Sequence, residues 1–541
     1  MVRRALLRAC AALQQAAGPS AASGAAACTR SVPAFAQLAR LEQEGAIGAT
    51  QAWQRCQLST SSLAQQAALT EVPVEGNAES LLKEIDAIIT NEAATAKEVA
   101  DAAVSLAYMQ AKGNRRLWGK VFEKAGALKS SFDAPSLSNF MWAASTAGVG
   151  HFKTLFELSG PAASMMKTLT PTQLSIVVEA LGKAGAKDVE FFGQVSSQVS
   201  SNMGAFKPAE LSRILWGFAA AGVEDAAFVK AVAKALSDKA RDLGGSEAVQ
   251  AIWGLARSRT ADKPALDALV NVAKTKLDSG VDAAALAWSL GYINYKLDAA
   301  TAKTMASAVQ AAAPGLTPAH AIDAAWGLGV TGAGTKESVG ALFSNVASAI
   351  DKAPESLDPF QVAALYEAAA MTPEAKLPEQ VAAFAAKMYA LADEGTKSKL
   401  PSAVLTFKEE LAEAAAYGMG ARYRPEIAAA RKNFAVVTPD GVAMDIAVSL
   451  DNNTKFAVEA VPFQQLSSAN TPLGPAAARA KLLESKGYKG VLISAADWAG
   501  LADSKAKAKY LLAAIQKALP AASSKVSGLM SAVDKPFDPY Q

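Results

Sequence analysis

The sequence has little of the chemistry that most enzymes use. It contains three cysteines and two histidines in 541 residues. Cys10, Cys28 and Cys56 all lie near the start of the chain, so the remainder offers no disulfide, thiolate nucleophile or cysteine metal site. His151 and His320 are too few for a histidine-based triad or a histidine-rich metal site. No P-loop or dinucleotide-binding glycine motif is present. We therefore expect no catalytic residue, no metal site and no cofactor.

Long apolar runs and aromatic residues are also scarce. The longest uncharged run, 304–322, contains Pro314, Pro318 and several polar residues. It would leave backbone groups unpaired in lipid, so we expect no membrane span. Hydrophobic residues make up 51% of the chain but aromatic residues only 7%. Much of the apolar content is alanine, which suits packed helices with close backbones.

The first 57 residues differ in composition from the rest. They carry six arginines and no lysine, and the first acidic residue is Glu42. This arginine-rich, acid-poor profile predicts an organelle transit peptide, cleaved between Arg55 and Gln66. A disordered N-terminal arm is the alternative. The arginine-rich start favours the mitochondrial matrix, with the chloroplast as the second choice.

Charge outside that segment is nearly balanced. Residues 58–541 hold 47 basic and 48 acidic residues. Overall charge therefore does not favour nucleic-acid binding, and any basic surface must be local.

One short phrase, an aromatic residue within a run of Leu, Ile and Ala, recurs along the chain. Its marked positions are Trp142, Glu179 (where Glu replaces the aromatic residue), Trp216, Trp253, Trp288 and Trp326. They are 37, 37, 37, 35 and 38 residues apart. Weaker copies are centred on Tyr108, Tyr366 and Tyr417. A period in this range predicts a solenoid whose units bury their apolar faces by stacking on their neighbours.

Each repeat carries helix-start and helix-stop signals around the marked residue. Proline precedes it by seven or eight residues at 135, 171, 208, 318 and 359, and we expect Ser246 and Asp282 to cap helices elsewhere. Glycine follows it at 148, 185 and 222, where a left-handed helix end is easy. A second amphipathic helix then completes an αα-hairpin. We predict a mainly α protein with about eight hairpins.

The tryptophans have two interpretations. They could stack on bases, or they could staple adjacent hairpins, and their apolar neighbours favour packing. Under the packing interpretation, polar residues on the same helices would read RNA. Asn139, Arg213 and Gln250, each three residues before a marked position, are the candidates. Arg257, Arg422 and Arg424 are candidate phosphate contacts, because a guanidinium can bind a phosphate with two hydrogen bonds.

The pattern changes near Phe434. Short β-rich runs separated by turn signals predict three strands, then a helix, a strand and a helix. These elements indicate a small α/β domain over 428–519, followed by a polar tail, 520–541.

Both parts resemble known families. The repeats resemble octotricopeptide repeats of organelle proteins, over about 97–420. The terminal part resembles the RAP domain, which also ends the FAST-kinase-like mitochondrial RNA proteins. The residues that carry this second match are Phe456-Ala-Val-Glu459, Arg479-Ala-Lys-Leu-Leu483, Gly487-Tyr488, Val491-Leu-Ile493, Asp497-Trp498, Leu501 and Lys509-Tyr-Leu511.

The resemblance implies a restriction-endonuclease-like α/β core and a role in binding organelle RNA. The terminal candidates for RNA contact are Lys455, Glu459, Arg479, Lys481 and Trp498. Metal-dependent cleavage needs paired carboxylates and a lysine. Asp445 and Glu459 could form such a pair, but Val461 stands where the lysine is expected.

We therefore predict an imported protein that stabilises, processes or supports translation of organelle RNA, including ribosomal RNA, without cleaving it. The predicted organisation is a transit peptide (1–57), a polar lead-in (58–96), an α-solenoid (97–427), the α/β domain and the tail. A protein-binding scaffold or accessory subunit of a mitochondrial ribosome or other large organelle complex is the alternative. An RNA endonuclease is the third choice.

Overall fold

The computed structural model describes residues 78–109, 113–148, 152–277, 279–352, 357, 359–397, 400–418, 431–438, 441–450 and 454–519. It is mainly helical, 72%, with one small sheet of four strands. This confirms the predicted fold class at that level. None of the helices in the described ranges is long and apolar enough to cross a membrane.

The helices that carry the marked residues form one row, which we call the tryptophan row. Its members are α2 (Ala96–Tyr108), α4 (Ala134–Ala147), α6 (Pro171–Ala184), α8 (Pro208–Ala221), α10 (Gly245–Arg257), α12 (Gly280–Tyr292), α14 (Pro318–Thr331) and α16 (Pro359–Met371). Each packs against the next member of the row.

The intervening helices form a second row behind the first. They are α1 (Ala78–Thr90), α3 (Arg115–Ala127), α5 (Phe152–Ser164), α7 (Val189–Ser201), α9 (Ala226–Asp238), α11 (Lys263–Ala273), α13 (Ala299–Ala312) and α15 (Lys336–Lys352). Helices α1 to α11 of this row pack in sequence, as do α13 and α15. The arrangement is repeat-like, as the period indicated.

The helix-boundary signals act mostly as predicted. Prolines lie in the first turn of α4, α6, α8 and α14, and Gly148, Gly185 and Gly222 end their helices in the left-handed region. Two predicted caps were wrong. The N-caps of α10 and α12 are Gly244 and Ser279, while Ser246 donates instead to the Asp282 carboxylate at 2.7 Å. The two predicted cap residues therefore join neighbouring helices.

The marked tryptophans are packing residues, as the sequence favoured. All are buried, at most 8% exposed. The rings of Trp216 and Trp253 lie 5.3 Å apart, and those of Trp253 and Trp288 lie 6.2 Å apart. Tilted aromatic pairs at these distances add to the stabilisation from burial. These ring contacts therefore hold successive hairpins together.

Glycine allows the helices of the tryptophan row to approach closely. A Cβ added at Gly217 would meet Val178 O at 2.6 Å, and one added at Gly327 would overlap Ala287 O. Such contacts leave no room for a side chain. The alanines and these glycines therefore both allow the helix backbones to pack closely.

The terminal sheet has the strand order β1-β2-β3-β4. The strands are β1 (Arg431–Val437), β2 (Ala443–Ser449), β3 (Lys455–Val461) and β4 (Tyr488–Ser494). The first three are antiparallel, and β3 pairs parallel with β4 through the crossover helix α19 (Gly474–Ser485). The predicted succession of three strands, helix, strand and helix is confirmed.

Helices cover both faces of this sheet. On one face, α18 (Ser402–Gly418) and α21 (Ser504–Lys517) pack together and enclose a core that includes Phe456 and Trp498. The short helix α20 (Ala495–Ala499) follows β4. On the other face, α19 and residues of α16 and α17 (Glu379–Lys397) cover the sheet. Helix α18, counted with the repeats through Tyr417, thus packs with the sheet.

Candidate functional site

On one face of the tryptophan row, half-buried and exposed side chains flank the buried marked residues. In α8, Arg213 and Ala220 are half-buried on either side of Trp216, whereas most of the helix is fully buried. Residues three before and four after each marked position lie on one helix face. We call this set in α4, α6, α8 and α10 the open stripe. It comprises Asn139, Trp142, Thr146, Ile176, Glu179, Lys183, Arg213, Trp216, Ala220, Gln250, Trp253 and Arg257.

The same face is covered further along the row. Helix α19 packs on α12, α14 and α16, and Gly474 lies against the backbone of Gly291 and the ring of Trp326. Lys481 Nζ donates to the carbonyls of Gly329 and Val330, both at 2.9 Å. The terminal part, in its described residues, thus occupies the face of α12–α16.

A loop preceding α19 marks the boundary between the open and covered regions. The backbone N–H of Ser468 donates to Arg259 O at 2.7 Å, and Arg259 Nη1 donates to Phe463 O at 3.2 Å. Asn294 Nδ2 donates to Pro472 O at 3.1 Å. We call residues 463–473 the strap.

The two helix ends that hold the strap carry a residue other than glycine in a left-handed backbone conformation. The residues six positions after the marks are Gly148, Gly185, Gly222, Arg259, Asn294 and Gly332, all with positive φ. Only Arg259 and Asn294 are not glycine, and their φ angles are 56° and 54°. A left-handed arginine is strained, and both side chains hold the strap. Aligning the helix ends by period would have revealed this signal, which the sequence reasoning missed.

Arg213 and Glu179 interact within the open stripe. Arg213 Nε lies 3.1 Å from Glu179 Oε2, although that N–H does not point at the oxygen, and Nη1 donates to Ser175 Oγ at 3.0 Å. Both side chains are about a tenth exposed. The pair fills the place where the other hairpins stack aromatic rings. Arg213 therefore offers a ligand only part of its guanidinium.

The other candidates on the stripe differ in accessibility. Asn139 is half-buried on α4, and Gln250 is buried, its Nε2 without a hydrogen-bond partner. Arg257 lies with its guanidinium carbon 5.8 Å from the ring centroids of Trp253 and Tyr292. Lys183, which was not among the candidates, is exposed and donates to Ser145 O at 3.1 Å. Its position four residues after Glu179 was the available signal.

The terminal candidates Glu459 and Arg479 belong to a polar cluster between β2, β3 and α19. Arg479 Nε lies 3.0 Å from Glu459 Oε2, and Nη1 donates to Tyr389 Oη at 2.7 Å. Asp445 Oδ1 lies 2.7 Å from Lys408 Nζ. The Asp445 N–H donates to Glu459 Oε1, and Asp445 Oδ2 accepts from the Ala460 N–H. The carboxylates are therefore occupied by cations and backbone amides of the chain.

Burial dominates the titration of this cluster. It raises the pKa of Glu459 from 4.5 to about 6, with Arg479 acting in the opposite direction and Asp445 adding to the rise. Two carboxylates could in principle hold a divalent ion, but here each already has a basic partner. The described residues contain no group of three or more His, Cys, Asp or Glu that could hold a metal.

The remaining terminal candidates are dispersed. Lys455 is exposed, with its ammonium 5.7 Å from the Tyr488 ring. Trp498 is buried and its Nε1 donates to Glu410 Oε2 at 2.9 Å. The pKa of Lys481 is lowered because it is partly buried against α14. The terminal candidates thus do not converge on one pocket.

Other predicted residues lie elsewhere. Arg422, Arg424 and His151 are outside the described residues. His320 is buried in the first turn of α14, where its backbone N–H donates to Thr317 Oγ1. RNA contact at every candidate position stays a prediction.

Comparison with known proteins adds no family assignment. No protein-family model matches the chain, and no curated protein matches it.

Proposed function

We propose that this protein is an α-solenoid RNA-binding protein that holds a single strand along the open stripe. The observation that carries the proposal is the stripe itself, which aligns polar and basic side chains of four successive hairpins on one face. On that face Asn139, Lys183, Arg213 and Arg257 are half-buried or exposed, and Glu179 and Gln250 are buried. Its three basic residues, Lys183, Arg213 and Arg257, face one acid, Glu179. A local positive surface of this kind can follow a phosphate backbone even when the whole chain is nearly neutral.

The terminal part has a supporting role in this proposal. As a RAP-like, endonuclease-related domain, it closes one end of the RNA path by covering α12–α16. Its cluster of Glu459 and Asp445 is tied to Arg479 and Lys408, which supports binding without cleavage. The protein would act in the mitochondrion, or else the chloroplast, in the stability, processing or translation of organelle RNA, including ribosomal RNA.

RNA binding by the purified chain tests this proposal. Fluorescence anisotropy with a labelled random RNA, measured over a range of salt, should show binding that weakens as salt rises. Lys183→Glu should weaken it because the variant reverses a charge on the open stripe. Lys303→Glu is the matched control, since Lys303 is exposed on α13 in the second row. Equal loss in both variants, or no binding by the parent chain, would contradict the proposal.

A protein-binding scaffold is the second candidate, and one observation favours it. Phe152 and Val189, 37 residues apart at the starts of α5 and α7, are 54% and 67% exposed. Phe156, 40% exposed, stacks on Phe152 at 5.8 Å. Exposed apolar patches often mark protein contacts. If Phe152→Ser removes the protein from a large organelle complex while leaving RNA affinity intact, the scaffold function is supported.

A further inference from the structure

Arg257 is a basic side chain without an acidic partner. It is half-buried at the end of α10, between the rings of Trp253 and Tyr292. No carboxylate among the described residues forms an ion pair with it, whereas Arg213 and Arg479 each have one. Burial is the largest cause lowering the pKa of Arg257, and the charge interaction and side-chain hydrogen bond with Tyr292 raise it. The aromatic rings compensate only part of the lost hydration.

The nearest side chains on the stripe also have unused donors. Arg257 Nε and Gln250 Nε2 are buried without hydrogen-bond partners, and so is Trp216 Nε1. Gln250 precedes Trp253 by three residues and Arg257 follows it by four, so all three share one face of α10. The ring of Trp216 lies 5.3 Å from that of Trp253. The unsatisfied nitrogens of this patch are therefore all hydrogen-bond donors, and Ser258 Oγ, which follows Arg257 in the chain, is also buried without a partner.

Unpaired buried donors are costly, and a half-buried charge without an ion-pair partner adds to that cost. A group that accepts hydrogen bonds and carries negative charge would relieve both costs at once. Phosphate has three or four such oxygens and suits the planar guanidinium, which can donate to it with two parallel N–H groups. A protein carboxylate could pair with Arg257 too, but it has fewer oxygens to reach the neighbouring donors.

We propose that Arg257, at the end of the helix face that also carries Gln250, is a phosphate subsite that binds the backbone of a single-stranded RNA where the open stripe meets the strap. The site rests on the proposed RNA-binding function and specifies it. The strap is held two residues further along, at Arg259, so the subsite lies at the boundary of the covered face. A strand that follows the stripe from α4 thus has its last phosphate at Arg257, and α19 blocks its continuation over α12.

The test compares four purified full-length proteins: the parent chain, Arg257→Gln, Arg257→Lys and Arg241→Gln. Arg241 is an exposed arginine in the connection between α9 and α10, outside the open stripe, which makes it the matched control. Binding of a labelled random 20-nucleotide RNA is measured by anisotropy at several salt concentrations. Arg257→Gln should weaken binding about tenfold, as expected for a lost charged hydrogen-bond pair. It should also lower the slope of log K against log salt by about 0.7, the value for one phosphate on a single strand.

Arg257→Lys should keep the salt dependence of binding but lose part of the affinity. An ammonium group keeps the positive charge but cannot donate two parallel hydrogen bonds to one phosphate. Arg241→Gln should change neither quantity. Thermal unfolding without RNA separates ligand binding from a structural role. Arg257→Gln should unfold within a few degrees of the parent chain, because it loses the contacts with Trp253 and Tyr292 but no ion pair.

Three outcomes overturn the subsite. If the parent chain binds RNA and Arg257→Gln binds with the same affinity and slope, the subsite is wrong while the proposed function stands. If poly-glutamate competes as well as polyuridylate of equal charge, the site prefers carboxylates and a protein partner. If the parent chain binds no RNA, both the subsite and the proposed function fail.

Discussion

The polar cluster around Glu459 yields a prediction that can be worked out from the structure. Arg479→Met removes the guanidinium that bonds Glu459, Tyr389 and the carbonyl of Ala443. The Glu459 side chain, 9% exposed, then has no basic partner. Removing one partner of a buried pair costs about 3–5 kcal/mol, because it leaves an uncompensated charge. We expect a loss of that order in the free energy of opening the sheet at pH 8.

The pH dependence of that loss has a definite sign. Burial raises the pKa of Glu459 in the folded state from 4.5 to about 6, so folding favours the protonated carboxyl. The stability that this proton provides is fully present below about pH 4.5 and is lost as the pH rises through about 6. A rise of that size corresponds to about 2 kcal/mol. Arg479 opposes the rise, so Arg479→Met should raise the pKa of Glu459 further. The variant should therefore be much less destabilised at pH 5 than at pH 8.

Hydrogen exchange of peptides from β2 and β3, corrected for intrinsic rates, measures this opening locally. The amides of Asp445 and Ala460, which donate to the two carboxylates, should lose protection in Arg479→Met at pH 8. Adding Glu459→Gln should restore much of it, because a neutral amide costs less to bury than a carboxylate. Equal destabilisation at both pH values, or no rescue by Glu459→Gln, would refute the reasoning.

Three further predictions follow from the packing. Gly327→Ala should lower the free energy of unfolding by more than about 1 kcal/mol, because the added methyl group overlaps Ala287 O. An unchanged midpoint of urea unfolding would refute the close approach of the α12 and α14 backbones. The control Gly340→Ala, in an open helical position, should instead raise that free energy by about 0.5–1 kcal/mol. Lys481→Met should make the α14–α19 contact more sensitive to limited proteolysis, because two carbonyls of α14 lose their hydrogen-bond donor. An unchanged cleavage pattern would show that α19 packs on α14 without the Lys481 hydrogen bonds. Arg213→Met should lower the free energy of unfolding by about 3–5 kcal/mol, because it leaves the buried Glu179 without its basic partner. Chemical denaturation should show a smaller loss in the double variant that also carries Glu179→Gln.

The sequence predicted much of the fold because its signals are local and repeated. Proline at helix starts, glycine at helix ends and the spacing of Trp142 to Trp326 depend on neighbours within one hairpin. The terminal strands were equally readable, because turn signals separate them. These features could be found without knowing how distant segments meet.

The candidate site was less accessible to sequence reasoning, because it depends on long-range contacts. The repeats gave Arg213 and Gln250 the same position, but only the structure shows one paired with Glu179 and the other buried. No local pattern indicates that α19 covers α12–α16, since that contact joins segments about 150 residues apart. Arg259 was visible as a basic residue, but its left-handed backbone and its bond to the strap were not.

RNA crosslinking tests the central claim most directly. The tagged protein is irradiated in isolated organelles, the attached RNA is sequenced, and the crosslinked peptides are mapped by mass spectrometry. The account predicts one sharp RNA footprint and crosslinked peptides from α4–α10, with few from α12 or α14 beneath the terminal part. Background-level crosslinking while the protein still sediments in a large complex, or crosslinks outside the open stripe, would contradict it.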